Sequence, residues 1–392
     1  MTEPRTLTAE ERHARARAID ALSGASTQAV LTIDLDALAH NWRLLSKNCS
    51  KAECGAVVKA DAYGVGIEFA VPALARAGCR TFFVAHVSEG IRVRERLGTT
   101  GARIFVLNGL LPDPLIAPLM LQHRLTPVIG SIPEWRFWRD AEGTRNTKIA
   151  LHIDLGMNRL GVPADDLAAL AGDARLLENL SLIIGHFISS EAKDDPLNAR
   201  QIAAFATARA TFPHVSASLA NSSGIFLADS PHHDLVRPGY ALYGGNPTPD
   251  APNPMRHVAT LEAPIIQVRE VGVGATAGYN ARWTAQRPSR LATIGIGYAD
   301  GLPRSAMAID TKPVGGEAIV GGVRCSFAGR VSMDLTVLDA TDAPPDAVRP
   351  GAVARLLGAD ITVDDLAARA GTIGYEILTN LGRRYQRVYI GG

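Results

Sequence analysis

Short apolar runs alternate with amphipathic stretches through the first two thirds of the chain. Runs of this kind, bounded by turn residues, predict buried strands of a parallel sheet. They fall near Val57 and at Phe82–Val84, Ile104–Leu107, Thr126–Ile129, Ile149–Ile153, Leu182–Phe187, Val215–Leu219 and Asp234–Val236. Between them apolar residues recur at helical spacing, as in Ile67–Ala77, Ser88–Leu97, Asp165–Ala174 and Asn198–Ala210. Eight strand–helix units predict an α/β fold, a (β/α)8 barrel of the TIM type. An alternating run, Val30–Leu35, lies ahead of the first unit, with Asp36 as the expected N-cap of a helix over Ala37–Ser46.

The pattern changes after the proline-rich stretch Asn246–Pro252, the best linker candidate. Beyond it come short alternating or β-branched segments at Leu261–Val268, Leu291–Gly297, Ala318–Val320 and Leu335–Leu338, separated by glycine turns. Helical periodicity returns only at Val363–Ala370. The expected division is an N-terminal extension over residues 1–28, the barrel over 29–252 and a mostly β domain over 253–392.

A length of 392 residues agrees with two domains. A net charge of +1 gives no electrostatic basis for binding nucleic acid or an anionic membrane. Cys49, Cys54, Cys79 and Cys325 show neither C-x-x-C spacing nor a flanking histidine cluster. No metal site or disulfide framework is therefore expected, and a reducing cytoplasm fits. The polar, Arg/Glu-rich opening lacks the apolar segment of a signal peptide. No apolar run reaches the ~18 residues of a membrane span.

Candidate chemistry sits at the strand ends. Lys59 ends the first strand, Asp154–Arg159 follows the fifth and His186 ends the sixth. Asn221-Ser222-Ser223-Gly224 follows the seventh, and Arg237-Pro238-Gly239-Tyr240 the eighth. In a barrel all of these lie on the C-terminal face, where active sites of this fold occur. Taken singly, each has an ordinary reading: a surface lysine, a satisfied core histidine, solvated arginines, turn residues. Together they place an amine, two guanidiniums, an imidazole and a phosphate cradle around one opening. A lysine with a phosphate cradle, but no Gly-x-Gly-x-x-Gly or P-loop, suits pyridoxal phosphate held as a Schiff base.

Six blocks add a resemblance: Val57–Gly66, His152–Val162, Arg237–Gly244, Gly297-Tyr298-Ala299-Asp300-Gly301, Gly329-Arg330-Val331-Ser332-Met333-Asp334 and Tyr375-Glu376. With them the chain resembles bacterial alanine racemases from about Thr32 to Tyr389. The resemblance implies a pyridoxal-phosphate-binding barrel followed by a β domain. It implies interconversion of L- and D-alanine, for peptidoglycan or for alanine catabolism, by a head-to-tail homodimer with shared active sites. Lys59 would carry the cofactor and act as one base, with Tyr279 of the partner subunit as the other. Arg237 would face the pyridine nitrogen, and His186 would link it towards the tyrosine. Arg159 would lie near the cofactor's phenolic oxygen and the substrate carboxylate. Tyr63, Asn221, Ser222, Gly239, Tyr240 and Tyr375 would surround the cofactor, chiefly its phosphate. The Met333 backbone would help hold the substrate carboxylate, and Tyr298 would line the entry.

The logic is physical as well. Racemisation removes a proton from one face of a planar centre and returns one to the other, so two bases must flank it. An arginine at the pyridine nitrogen disfavours protonation there and so limits electron withdrawal into the ring. Departures from the family are also visible. Many members carry a carbamylated lysine where this chain has His152, so Arg159 needs another partner, expected to be Asn158 or an anion such as chloride. Arg282 adds a charge near the expected entrance. Two other readings stand beside alanine: a racemase of broader specificity (serine, for example), and a non-catalytic pyridoxal-phosphate-binding protein.

Overall fold

Ala56, Val57 and Val58 have no polar side chain to offer water, and all three are buried. They belong to a closed barrel in the computed structural model, which describes residues 28–49 and 51–392. Seven strands run parallel in chain order: Ala56–Val57, Thr81–Val84, Arg103–Val106, Thr126–Ile129, Ile149–His152, Leu180–Ile184 and Ser216–Ser218. The eighth, Leu235–Val236, pairs in parallel with Glu53–Cys54, the opening of the first strand. Closure shows in the hydrogen bonds on both of its sides. Asp234 and Arg237 donate to Ala217 and Ala220 at 3.0 and 2.9 Å, while Gly55 and Val57 donate to Val236 and Pro238 at 3.0 and 2.9 Å.

Apolar side chains pack both faces of this sheet, with Phe82, Phe83, Ile104, Ile129, Leu151 and Ile183 fully buried. The rings of Phe83 and Phe105 stack with centroids 5.0 Å apart. Helices follow the strands at Ile67–Ala77, Val87–Leu97, Ile116–Gln122, Ile132–Asp140 and Pro196–Ala210. The helix expected over Asp165–Ala174 is instead broken into Leu167–Ala171 and Ala174–Asn179. Asp173 breaks it, because its carboxylate accepts from Leu176 N and so starts a new helix.

The second unit is built on an eight-stranded, mostly antiparallel sheet. Its order is Ser289–Ile294, Thr336–Asp339, Val323–Phe327, Glu317–Val320, Val353–Leu357, Ala259–Val271, Val30–Asp34 and Gln386–Ile390. Ala259–Val271 also pairs with Ser289–Ile294, which closes the larger part into a barrel of its own. Val30–Asp34 was expected with the first barrel. It lies instead antiparallel to Ala259–Val271 and parallel to Gln386–Ile390.

The chain thus does not divide at single points. One compact unit holds Leu38–Leu242 with Asn246–Met255, and the other holds the stretch ending at Ala37, Tyr243–Gly245 and Arg256–Gly392. Alternation marks Val30–Asp34 as a strand but says nothing of which sheet will take it. The extension expected over residues 1–28 lies, apart from Gln28, outside the described residues. The cap of helix Leu35–Asn48 differs too: Ala37 N donates to Asp34 at 2.8 Å, while Asp36 accepts from Gly392 N at 3.1 Å.

Glycines join the signature blocks of the β unit by backbone contact. Tyr298 N donates to Ser332 O at 3.0 Å and Ala299 N to Met333 O at 2.9 Å. A Cβ on Gly297 would overlap those same carbonyls, and one on Gly301 would overlap the Asn380 carbonyl. Gly301 also has a φ of 103°. Gly301→Ala is therefore expected to cost about 2 kcal/mol or more. That lowers the melting temperature by about 4 °C or more. Gly272→Ala, in open space, should stay within about 0.5 kcal/mol; thermal melts of both variants check the contrast.

Candidate active site

The backbone turns into the left-handed region directly after Lys59. Ala60, Asp61, Ala62 and Tyr63 have φ between 53° and 56°, and Gly64 follows at 80°. Only glycine enters this region freely, and other residues pay roughly 1–2 kcal/mol each. Such strain collects at functional sites, where the surroundings hold it in place. Here the turn closes its own hydrogen bonds, Ala62 N to Val58 O and Gly64 N to Ala60 O, both at 2.9 Å. Outside the turn, Glu89 accepts from Ala60 N at 2.7 Å and Asp61 accepts from Ile67 N at 3.1 Å.

The turn keeps Lys59 at the strand end and buries Tyr63 against the loop after the eighth strand. Its hydroxyl lies so close to Gly239 that any Cβ there would overlap it. Beside it, Ser222 Oγ accepts from Gly239 N at 3.0 Å and Ala241 N at 3.2 Å. One hydroxyl with two convergent backbone N–H groups makes an anion cradle. Asn221 shapes the preceding turn, its Oδ1 accepting from Ser190 Oγ at 2.8 Å and Gly224 N at 2.9 Å. Tyr240, at the start of the one-turn helix Tyr240–Tyr243, is buried.

The charges of the mouth are mostly positive. Arg237 is buried, with Nη1 donating to Ser218 O and Oγ at 2.8 and 2.6 Å, and Nη2 donating to Gly185 O at 2.6 Å. Among the described residues no carboxylate pairs with it, and burial pulls its pKa down to about 9. Its Nη2 also lies 3.5 Å from His186 Nδ1. Burial, and then the Arg237 charge, hold His186 down to about 3 and His152 down to about 4. Both imidazoles are therefore neutral near pH 7. The Lys59 amine is lowered as well, by burial first and by Arg159 second, with Glu89 opposing.

An anionic group fits such a mouth. A phosphate would meet the cradle of Ser222, Gly239 and Ala241, and further negative charge would offset the unpaired Arg237. Pyridoxal phosphate brings a phosphate, a phenolic oxygen and an aldehyde for the lowered amine of Lys59.

Arg159 is exposed on the loop after the fifth strand. Among the described residues no hydrogen bond joins it to Asn158, whose amide nitrogen donates instead to the Gly156 carbonyl at 3.2 Å. A φ of 54° at Asn158 turns the loop back on itself, and the short amide reaches that local carbonyl first.

The remaining expected residues lie in the β unit. Tyr279 is 66% exposed, on a one-turn helix Tyr279–Ala281 entered through Gly278 at φ 71°. Gly278 packs on Arg330 and Gly329, so this loop rests on a second signature block. Tyr298 and Met333 sit on the two loops zipped together by backbone bonds, and Arg384 braces them through Asp300 at 3.2 Å and Asp334 at 2.8 Å. Tyr375 lies on helix Gly374–Thr379, and Tyr298, Met333 and Tyr375 are all exposed. Reading strand ends missed Glu89, Ser218 and Ala241. Glu89 stands at a position that reads as an ordinary helix cap, and only the neighbouring of the first two strands brings it to Ala60.

Family models for the N-terminal and C-terminal domains of alanine racemase match residues 33–247 and 258–389. The alanine racemase of Methylobacterium sp. (strain 4-46) is 55% identical over 364 residues, covering 92% of this chain and 97% of that relative. The crystal structure of alanine racemase from Bartonella henselae, with covalently bound pyridoxal phosphate, superposes with a TM-score of 0.86 at 35% identity. It covers 93% of this chain and 99% of that one. The biosynthetic alanine racemase from Pseudomonas aeruginosa gives the same TM-score, identity and coverage. Barrel, cradle, signature blocks and relatives agree from end to end of the matched region, and the chain belongs to the alanine racemase family.

Proposed function

We propose that this protein is a pyridoxal-phosphate-dependent racemase that interconverts L- and D-alanine. It acts as a head-to-tail homodimer in the cytoplasm, supplying D-alanine for peptidoglycan or feeding alanine catabolism. The observation that carries the reading is the barrel mouth: a lysine amine with lowered proton affinity, unpaired Arg237 and the anion cradle on one opening.

When bound, pyridoxal phosphate withdraws electrons from the substrate Cα and makes its hydrogen acidic. The chain's own groups do the rest. Ser222 Oγ, the N–H groups of Gly239 and Ala241, and Tyr63 hold the phosphate, with Tyr240 and Tyr375 completing its surround. Asn221 keeps the Ser222 turn in shape. Arg237 presents a fixed positive charge to the pyridine nitrogen and so opposes its protonation. Neutral His186 takes a hydrogen bond from Arg237 without adding a second charge. Lys59 Nζ takes or returns a proton on one face of Cα, and the phenolic oxygen of Tyr279 of the partner subunit does so on the other. Arg159 attracts the substrate carboxylate, the Met333 backbone fixes it, and Tyr298 lines the way in.

Exposure of Tyr279 on a braced loop supports a role towards a second copy of the chain. Four buried, free cysteines support a reducing compartment. Among the described residues no helix is long and apolar enough to cross a membrane.

Lys59→Ala should abolish covalent retention of the cofactor, read by mass after borohydride reduction. Tyr279→Phe should retain it and lose about 10²–10⁴-fold in racemisation, read by a chirality-resolved assay. Mixing the two inactive variants should restore roughly a quarter of the wild-type rate, since half of the dimers then hold one intact site. No recovery would rule out the shared site. Gly239→Ala should displace the Tyr63 hydroxyl and weaken cofactor affinity by about tenfold, the worth of one charge-assisted hydrogen bond; cofactor titration measures this. In initial rates over a panel of L-amino acids, alanine should lead, and a faster rate with serine would overturn that choice.

A further inference from the structure

Glu89 spends one carboxylate on two elements at once. Its Oε2 accepts from Ala85 N at 2.8 Å and His86 N at 3.2 Å, at the end of the second barrel strand. Its Oε1 accepts from Ala60 N at 2.7 Å, one residue past Lys59. An acidic residue at this position of a helix ordinarily caps its own N-terminus and needs one oxygen for it. The second oxygen here goes to another β/α unit.

That contact lands where the backbone is most strained. Ala60 is the first of five left-handed residues, four of which carry a side chain. Glycines at 60–63 would adopt the turn with little cost. Ala-Asp-Ala-Tyr does so only if something offsets it. The turn's internal bonds leave the Ala60 N–H pointing outward, and Glu89 receives it. Helix Val87–Leu97 adds a second grip one turn on, where Arg92 meets Asp61 at 2.6 Å and Glu68 at 2.8 Å. That pair is partly exposed, so it is weak by comparison. Two charged groups act on the Lys59 amine, Arg159 from the fifth loop and Glu89, while His186 from the sixth feels the Lys59 charge but is itself neutral. Of these only Glu89 is an anion.

We propose that Glu89 is a positioning residue for Lys59, clamping the left-handed turn at the Ala60 N–H so that the amine is held at the reacting face. The proposal rests on the reading of Lys59 as an acid–base group, and it assigns Glu89 no contact with substrate. Glutamine cannot replace it, because its NH₂ group would face backbone N–H donors on one side.

The test compares wild-type holoenzyme, Glu89→Gln, Glu89→Gln/Ala60→Gly and Arg92→Met. Glu89→Gln should bind the cofactor and lower kcat by about tenfold or more, with KM for alanine within about threefold. Glycine at 60 adopts the turn without a clamp, so the double variant should recover much of the lost kcat. Removing the Glu89 anion lowers the proton affinity of Lys59 further. In the direction where Lys59 must accept a proton, the acid limb of kcat should then move to lower pH in both Glu89 variants. Arg92→Met should leave that limb in place. An unchanged kcat in Glu89→Gln, a loss not relieved by Ala60→Gly, or an unmoved acid limb overturns the proposal. If Glu89→Gln does not fold, Glu89→Asp, one methylene too short to span both strands, is tested for the same relief. Failure of wild-type enzyme to racemise would reject the proposed function instead, so the two failures are distinct.

Discussion

Burying a guanidinium with no carboxylate beside it costs on the order of several kcal/mol, and among the described residues Arg237 takes that position at the end of the last barrel strand. Its hydrogen bonds go to carbonyls and a hydroxyl, which orient the cation without neutralising it. Burial first, and then the field that remains, keep His152 and His186 neutral, and the mouth is left short of negative charge. An anionic cofactor is the natural complement. Phosphate cradle, lowered lysine and uncharged imidazoles are parts of one electrostatic arrangement rather than separate features.

Geometry is held with equal economy. The chain must leave the first strand at Lys59 and bring Tyr63 back against Gly239 within four residues. A left-handed turn does this, and it is stabilised from the neighbouring unit by Glu89 and Arg92. Gly239 answers from the other side, since only a residue without a Cβ leaves room for the Tyr63 hydroxyl. In the β unit the glycines of the signature blocks do similar work. They let the loops bearing Tyr279, Tyr298 and Met333 approach backbone to backbone, which fixes exposed side chains without burying them.

Much of this was legible in the chain. Lys59, His186, Ser222 and Arg237 announced themselves by standing at the ends of apolar strands, because a barrel turns strand ends into one face. Asp173 was harder: a helical period ran through it, and its competing role as a cap broke the helix. Asn158 and Glu89 show a sharper limit. Both are side chains whose partner is decided by backbone geometry, a local carbonyl for Asn158 and a distant N–H for Glu89. Strand Val30–Asp34 illustrates the same point for a whole element, its alternation identical whichever sheet receives it.

By itself the sequence determined the class of fold and the chemistry available to it. Hydrophobic spacing is a local property, and so is the choice of lysine, arginine or glycine at a turn. Tertiary structure decided which groups meet. It closed the barrel so that Arg237 lost its water, brought Glu89 to the residue after Lys59, and passed Val30–Asp34 to the second sheet. Those outcomes depend on desolvation and on hydrogen bonds between residues far apart in the chain, and neither is written in any single stretch of it.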